Sequence, residues 1–174
     1  MESVHSFSAS NLGKAYGVYV HDFHPDGDAM LFQVDSGASV TFLGINSFCD
    51  ESDTANYDCL KRIIMDEIAK GSFESVKNSA STATDEQVEM YPCKCSGVSV
   101  ARTLPITLYF YIYLGNTPIP LLGFDYIDDC SYHHSIGGEL VVNAVAPDVG
   151  KRFYPDRVID FNEVLKRYKV KKAN

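Results

Sequence analysis

The chain has 174 residues, 45% hydrophobic and 22% charged, which suits one globular domain. Its formal net charge of −8 at pH 7 disfavours a surface that follows nucleic-acid phosphates. No apolar run approaches the ~20 residues of a membrane-spanning helix, and the first residues lack the basic segment and apolar core of a signal peptide. We therefore expect a cytoplasmic protein that binds neither nucleic acid nor membrane.

The first predicted elements form a β-hairpin. Residues 14–20 carry the Tyr and Val alternation of a strand, and residues 29–34 form a second, apolar strand. Between them, His24-Pro25-Asp26-Gly27-Asp28 has the Pro and the Asp-Gly pair that are typical of a turn. The second strand leads directly into a carboxylate, Asp35.

Residues 52–71 change to a helical period, with an apolar face formed by Tyr57, Leu60, Ile63, Ile64 and Ile68. Ser52 or Asp53 can cap this helix, and Gly71 can end it. Residues 72–87 are polar and rich in Ser, Thr and Ala, which predicts a mobile loop or an exposed hairpin.

The second half of the chain is predicted as strands followed by a helix. Residues 88–100 are predicted as strands around a turn at Ser96-Gly97. Residues 106–114 form the clearest strand, with large side chains on both faces. We expect both of those faces to be covered. Residues 140–145 form a late strand. A terminal helix is indicated by a possible capping box, Asp160 with Glu163, and by the apolar residues Phe161, Val164, Leu165 and Tyr168.

Asp35 is the first candidate for chemistry. An isolated buried carboxylate costs several kcal/mol unless it is neutralised or hydrogen-bonded. Ser36 offers a hydroxyl, and Gly37 lets a backbone N–H come close to the carboxylate. By itself this triplet is also a common surface turn. Far downstream, Leu121-Leu122-Gly123 can pass beneath another loop in close backbone contact.

Two motifs, Val34-Asp35-Ser36-Gly37-Ala38-Ser39 and Leu121-Leu122-Gly123-x-Asp125, together resemble the retropepsin-like (retroviral-type) aspartic protease family. The order of predicted elements from residue 13 to residue 128 is also similar. The resemblance implies a mostly β, retropepsin-type acid-protease barrel with a single lobe and one D-S-G motif per chain. We expect an N-terminal extension (1–12), a protease domain (13–148) with a helical insert (52–71), and a C-terminal helical extension (149–174).

The resemblance also implies roles for the first motif. Asp35 would be the catalytic aspartate, Ser36 would form a hydroxyl grip across a dimer, and Gly37 would hold the backbone near the carboxylate. The family builds its site from two such loops, so one copy per chain implies a homodimer with an Asp35/Asp35 pair at the two-fold axis. Two carboxylates this close cannot both ionise, so one keeps a proton while the pair activates a water.

Further site residues follow from the same resemblance. The flap, a hairpin that closes over a polypeptide substrate, is expected at 77–89, with 93–101 as the alternative. Expected substrate-binding residues are Ala38, Ser39, Ser79, Ala80, Ser81 and Thr82. Structural residues near the active site would be Leu121, Leu122, Gly123 and Asp125. Ser39 stands where many retroviral versions carry a second aspartate.

No metal or cofactor is expected. The five cysteines, an odd number, are expected to be free thiols. Cys93-x-Cys95 is spaced too closely for an easy disulfide, and a zinc site would want a C-x₂₋₄-C spacing plus a second pair. His133-His134 is expected in a surface turn. The expected activity is aspartic endopeptidase. The alternatives are a catalytically inactive retropepsin-like domain for dimerisation or peptide binding, and an unrelated all-β binding module.

Overall fold

The structure is a computed structural model that describes residues 5–11, 16–35, 37–78, 88–100, 105–128, 130–134, 140–144 and 148–173. The strands are β1 (His5–Asn11), β2 (Tyr16–His21), β3 (Met30–Val34), β4 (Phe42–Gly44), β5 (Val76–Asn78), β6 (Val88–Val100), β7 (Ile106–Tyr113), β8 (Leu121–Leu122), β9 (Cys130–His134), β10 (Leu140–Ala144) and β11 (Ile159–Asp160). The helices are α1 (Thr54–Gly71), α2 (Phe124–Ile127) and α3 (Phe161–Ala173). The predicted mostly β chain with an inserted helix and a C-terminal helix is confirmed.

Six strands close into a barrel in the order β6, β7, β4, β8, β3, β2, and β2 pairs back onto β6 at Val20↔Val100. Closure leaves no free edge within this ring of strands. The predicted hairpin of β2 and β3 forms one side, in register from Tyr16↔Val34 to Val20↔Met30. Strand β7 is covered on both faces, as expected, because most of its residues are buried.

An aromatic cluster joins the barrel interior to the C-terminal helix. The ring of Phe161, at the start of α3, is fully buried and lies 5.0 Å from the ring of Phe48 and 5.2 Å from that of Phe110. Phe23 completes the cluster, with its ring 5.0 Å from Phe48 and 5.3 Å from Phe110. Such pairs add about 0.5–1.5 kcal/mol each beyond the area they bury. Helix α3 is therefore part of the core.

Helix α1 begins and ends close to the predicted residues. The carboxylate of Asp53 accepts a hydrogen bond from the backbone N–H of Asn56, which satisfies one of the free donors of the first turn. The helix ends at Gly71, and the next residue, Ser72, adopts a left-handed conformation with φ of 52°. Helix α3 packs beside α1, and Arg167 forms ion pairs with Asp66 and Glu67 of that helix.

Strand β6 is continuous, so the predicted turn at Ser96-Gly97 is wrong. The two residues form a β-bulge, since the pairing of β6 with β7 shifts between Cys95 and Val98 and Gly97 has φ of +76°. The backbone N–H and the hydroxyl of Ser96 both donate to the side chain of Asn162. The bulge therefore contacts α3 through Asn162 without reversing the chain, and residues 93–100 do not form a hairpin.

A second group of strands pairs the first strand of the chain with two late strands. Strand β10 pairs with β1 from His5↔Ala144 to Ala9↔Leu140, and with β9 from Leu140↔His134 to Ala144↔Cys130. The expected surface turn at His133-His134 is therefore wrong, because pairing with β10 holds this backbone extended. Strand β1 also continues the barrel sheet through its pairing with β2 at Ser10↔Gly17.

We predict that Phe161→Ala lowers the free energy of unfolding by about 3–5 kcal/mol, because it leaves a cavity at the centre of the aromatic cluster. Urea denaturation followed by circular dichroism measures the loss. The matched control is Val170→Ala on the same helix, since Val170 is 60% exposed and its truncation should change stability by less than about 0.5 kcal/mol. Equal effects of the two substitutions would contradict a core role for α3.

Candidate active site

The loop that carries Asp35, residues 35–41, has both ends fixed on strand β8. Strand β8 lies between β3, which precedes the loop, and β4, which follows it. It runs parallel to β3, with Val34 opposite Leu122, and antiparallel to β4, with Phe42 opposite Leu121. The backbone N–H of Asp35 also donates to the carbonyl of Leu122, at 2.9 Å. The loop thus leaves and rejoins the barrel on either side of one short strand.

Gly123 allows the chain to pass directly under this loop. A Cβ atom on Gly123 would lie 2.3 Å from the carbonyl oxygen of Val40 and 2.9 Å from the backbone nitrogen of Thr41. Both neighbours are backbone atoms, so neither can rotate away as a side chain could. The close backbone contact expected from the Leu-Leu-Gly sequence is present. It continues at Phe124, whose backbone N–H donates to the carbonyl of Ala38 at 2.7 Å.

The loop's own backbone orients the carboxylate of Asp35, which is half-buried. The backbone N–H of Gly37 donates to Asp35 Oδ1 at 2.9 Å. A Cβ atom at residue 37 would lie 3.2 Å from the same oxygen, so glycine makes this approach easy. The backbone N–H of Ala38 donates to the carbonyl of Asp35 at 3.2 Å, which closes the turn. The arrangement presents a carboxylate with a fixed direction and a partly open face.

A second carboxylate, Asp125, lies beneath the loop in a buried setting, with 1% of its surface exposed. Its Oδ1 accepts hydrogen bonds from the hydroxyl of Thr41 and from the backbone N–H of Tyr126, both at 2.8 Å. Its Oδ2 accepts from the hydroxyl of Tyr154. Burial raises the pKa of Asp125 above its ordinary value, although the donors from Tyr154, Thr41 and Tyr126 act in the opposite direction.

The predicted site residues fall into two groups. Asp35, Gly37, Ala38 and Ser39 lie on the loop, Leu121, Leu122 and Gly123 run beneath it, and Asp125 follows. The remaining predicted site residues lie outside the described residues; they are Ser36, Ser79, Ala80, Ser81 and Thr82. At the base of the expected flap, β5 and β6 pair antiparallel from Val76↔Met90 to Asn78↔Val88.

Sequence reasoning missed Tyr154, which supplies one of the donors to Asp125. The only available signal was an aromatic pair, Phe153-Tyr154, in a segment otherwise rich in turn-forming residues. Nothing local to that segment indicates which acceptor its hydroxyl meets, because the partner lies 29 residues earlier in the chain.

Two cysteines near the barrel core are poor candidates for a nucleophile. Burial raises the pKa of the Cys95 thiol to about 12 and that of Cys93 well above its ordinary value. A thiol in this setting stays protonated at neutral pH, and the thiolate is the reactive form. These two thiols therefore offer no reactive thiolate at neutral pH.

A possible cation site lies away from the Asp35 loop, on the exposed turn between β2 and β3. His24, Asp26 and Asp28 offer ligand atoms within 4.8 Å of one another. Asp26 already forms an ion pair with Lys172, at 2.5 Å.

Among the described residues, no helix is long and apolar enough to cross a membrane.

Comparison with solved structures finds similarity to a retropepsin-like aspartic protease from Rickettsia conorii. The two chains are 16% identical with a TM-score of 0.42, over 81% of this chain and 92% of that chain. No family model matches this chain, and no curated protein matches it. A function for this chain therefore has to rest on the geometry around Asp35.

We predict that Gly123→Ala costs about 3 kcal/mol or more of unfolding free energy, because the added methyl group overlaps the backbone of Val40. Gly27→Ala is the control. Gly27 has φ of +84° but open space around it, so its substitution should cost only about 1 kcal/mol of conformational strain. Chemical denaturation of both variants measures the difference. The close passage beneath the loop would be contradicted if Gly123→Ala were the milder change.

The raised pKa of Asp125 predicts a pH-dependent stability difference between the wild type and Asp125→Asn. A carboxyl group with a raised folded-state pKa stabilises the fold fully below its unfolded pKa of about 4, and this contribution is lost as pH rises through the folded pKa. The wild type should therefore lose stability relative to Asp125→Asn as the pH is raised from about 4 toward neutrality. Denaturant titrations across this interval measure the difference, and a constant or opposite trend would contradict it.

Proposed function

We propose that this protein is an aspartic endopeptidase in which Asp35 from each of two identical chains forms the catalytic pair. The observation that carries this proposal is the passage of β8 between β3 and β4 beneath the loop, which fixes a partly exposed Asp35 carboxylate in one direction. The sequence resemblance around Asp35 and Gly123 supports the same activity. A cytoplasmic location is part of the proposal, as expected from the sequence.

In the proposed reaction the two carboxylates share one proton. The ionised carboxylate takes a proton from a water, whose oxygen attacks the carbonyl carbon of the scissile peptide bond. The protonated carboxyl donates to the carbonyl oxygen as negative charge develops there. The C–N bond then breaks, and the leaving amine receives a proton from the pair. The two Asp35 carboxyls, the water and the substrate supply every atom of these steps, with no metal or cofactor.

The position of Phe124 supports a dimer at this site. Its side chain is apolar and 43% exposed, so a partner chain could cover it. Its backbone N–H donates to the carbonyl of Ala38, so Phe124 lies directly beside the loop that carries Asp35. A second chain whose Asp35 met the first at a two-fold axis would pack near this ring.

The hairpin of β5 and β6 is proposed as the flap, with Ser79, Ala80, Ser81 and Thr82 contacting substrate at its tip. Its base is paired in register with Lys77 opposite Glu89. On the other side of the substrate, Ala38 and Ser39 follow Asp35 directly and would contact the polypeptide backbone. A closing flap would exclude water from the scissile bond.

We predict that Asp35→Asn abolishes proteolysis, with a loss of several orders of magnitude, because it removes the group that carries the proton. The dimer should stay folded. Digestion of an unfolded protein at acid pH, with inhibition by a pepstatin-type compound, measures activity, and circular dichroism measures folding. Asp58→Asn is the matched control, since Asp58 is an exposed carboxylate on α1. Near-normal cleavage by Asp35→Asn would contradict the mechanism.

We also predict that activity per chain falls on dilution, because each chain supplies half of the pair and the dimer dissociates by mass action. Rates measured over a dilution series are compared with sedimentation velocity at the same concentrations. Constant activity per chain where only monomer sediments would rule out the shared pair. A stable dimer that binds peptides without cleaving them would favour the inactive alternative.

A further inference from the structure

A short segment that precedes strand β11 packs against helix α2. Helix α2 directly follows β8, the strand that passes under the Asp35 loop. We call residues 148–154 the clasp. Gly150 of the clasp has φ of +83°, and a Cβ atom there would lie 3.0 Å from the carbonyl oxygen of Asp125. Arg152 forms an ion pair with Asp128 at the end of α2. The clasp therefore contacts α2 through its backbone and through a charged side chain.

Aromatic contacts add to this attachment. The ring of Phe153 meets that of Phe124 edge to face, with 6.5 Å between centroids. The ring of Tyr154 is buried and stacks on Tyr111 at 4.9 Å, with Tyr109 at 5.5 Å. These neighbours hold the Tyr154 ring in place, so its hydroxyl has a fixed direction.

From Tyr154, a buried chain of hydrogen bonds leads to the catalytic loop. The Tyr154 hydroxyl donates to Asp125 Oδ2, and Oδ1 of the same carboxylate accepts from the hydroxyl of Thr41 at 2.8 Å. The Thr41 oxygen in turn accepts from the backbone N–H of Gly123 at 3.2 Å. Thr41 is fully buried and is the last residue of the loop that begins with Asp35.

Each group in this chain of bonds depends on the next. Burial and the nearby Asp125 raise the pKa of Tyr154 well above its ordinary value, so its hydroxyl keeps the proton that it donates. Without that donor, the buried carboxylate would lose a hydrogen bond to its Oδ2, and losing a bond to a buried charged group is costly. The carboxylate would relieve this by rotating, which would disturb Thr41 and Gly123.

We propose that Tyr154 is a positioning residue for Asp35, acting through Asp125 and Thr41 on the loop 35–41. The catalytic part of this inference rests on the proposed function, whereas the coupling of Tyr154 to the loop does not. The clasp thereby becomes part of the active-site scaffold, although it lies more than a hundred residues after the loop in the sequence.

The test compares Tyr154→Phe with Tyr109→Phe, which removes a hydroxyl from the same aromatic cluster without touching Asp125. Active sites are counted by titration with a tight-binding pepstatin-type inhibitor, so that unfolded protein does not affect the rate per site. Tyr154→Phe should lower kcat by about tenfold or more, with KM changed less than about twofold, because a displaced catalytic group slows chemistry more than binding. Tyr109→Phe should leave both values unchanged.

A second pair of variants tests the route through Thr41. Thr41→Ser keeps the hydroxyl that donates to Asp125 and should retain most of the rate, whereas Thr41→Val should lose about as much as Tyr154→Phe. The double variant Tyr154→Phe/Thr41→Val should be little slower than either single variant, since both interrupt one network. Fully multiplicative losses would overturn the proposed route.

Amide hydrogen exchange gives a readout that needs no proteolysis. In Tyr154→Phe, the amides of Gly37, Gly123 and Phe124 should exchange about tenfold faster than in Tyr109→Phe, while amides of β7 are unaffected. If the wild type cleaves and Tyr154→Phe lowers only the melting temperature, with kcat per site unchanged, the positioning role is overturned. If the wild type does not cleave, the proposed function fails. The coupling of Tyr154 to the loop is then judged by hydrogen exchange alone, and it is overturned if Tyr154→Phe and Tyr109→Phe exchange these amides at the same rate.

Discussion

The structure depends on one close passage, in which Leu121 and Leu122 run between the strands that flank the Asp35 loop. Backbone hydrogen bonds on both sides of this short strand tie it to β3 and to β4. Buried backbone groups must keep such partners, so the loop cannot shift without leaving several of them unpaired. Gly123 makes the passage possible, because any side chain there would meet the backbone of Val40.

Two carboxylates close to this passage lie in contrasting environments. Asp35 is half-buried and accepts a hydrogen bond from a backbone N–H of its own loop. Asp125 is buried and accepts hydrogen bonds from Thr41, Tyr126 and Tyr154. A carboxylate with several buried donors is committed to holding structure together, whereas a partly open one remains available to a substrate and a water. The environments therefore assign different roles to two residues of the same type.

The C-terminal part of the chain completes both the core and the site. Phe161 of α3 fills the centre of an aromatic cluster that includes Phe23, Phe48 and Phe110. The clasp just before it packs on α2 and reaches Asp125 through Tyr154. Interiors are packed densely, so a core packed against α2 limits how far the neighbouring Asp35 loop can move.

By itself the sequence determined the features that depend on local signals. Periodicity, turn residues and caps predicted the β2–β3 hairpin, helix α1, strand β7 and helix α3. The sequence motifs around Asp35 and Gly123 marked these two residues as site candidates. Only the tertiary structure decided what depends on distant partners. Ser96-Gly97 has the composition of a turn, but pairing with β7 makes it a bulge, and β9 is extended because β10 pairs with it. The acceptor of the Tyr154 hydroxyl was likewise set by packing, since no local pattern specifies a partner 29 residues away.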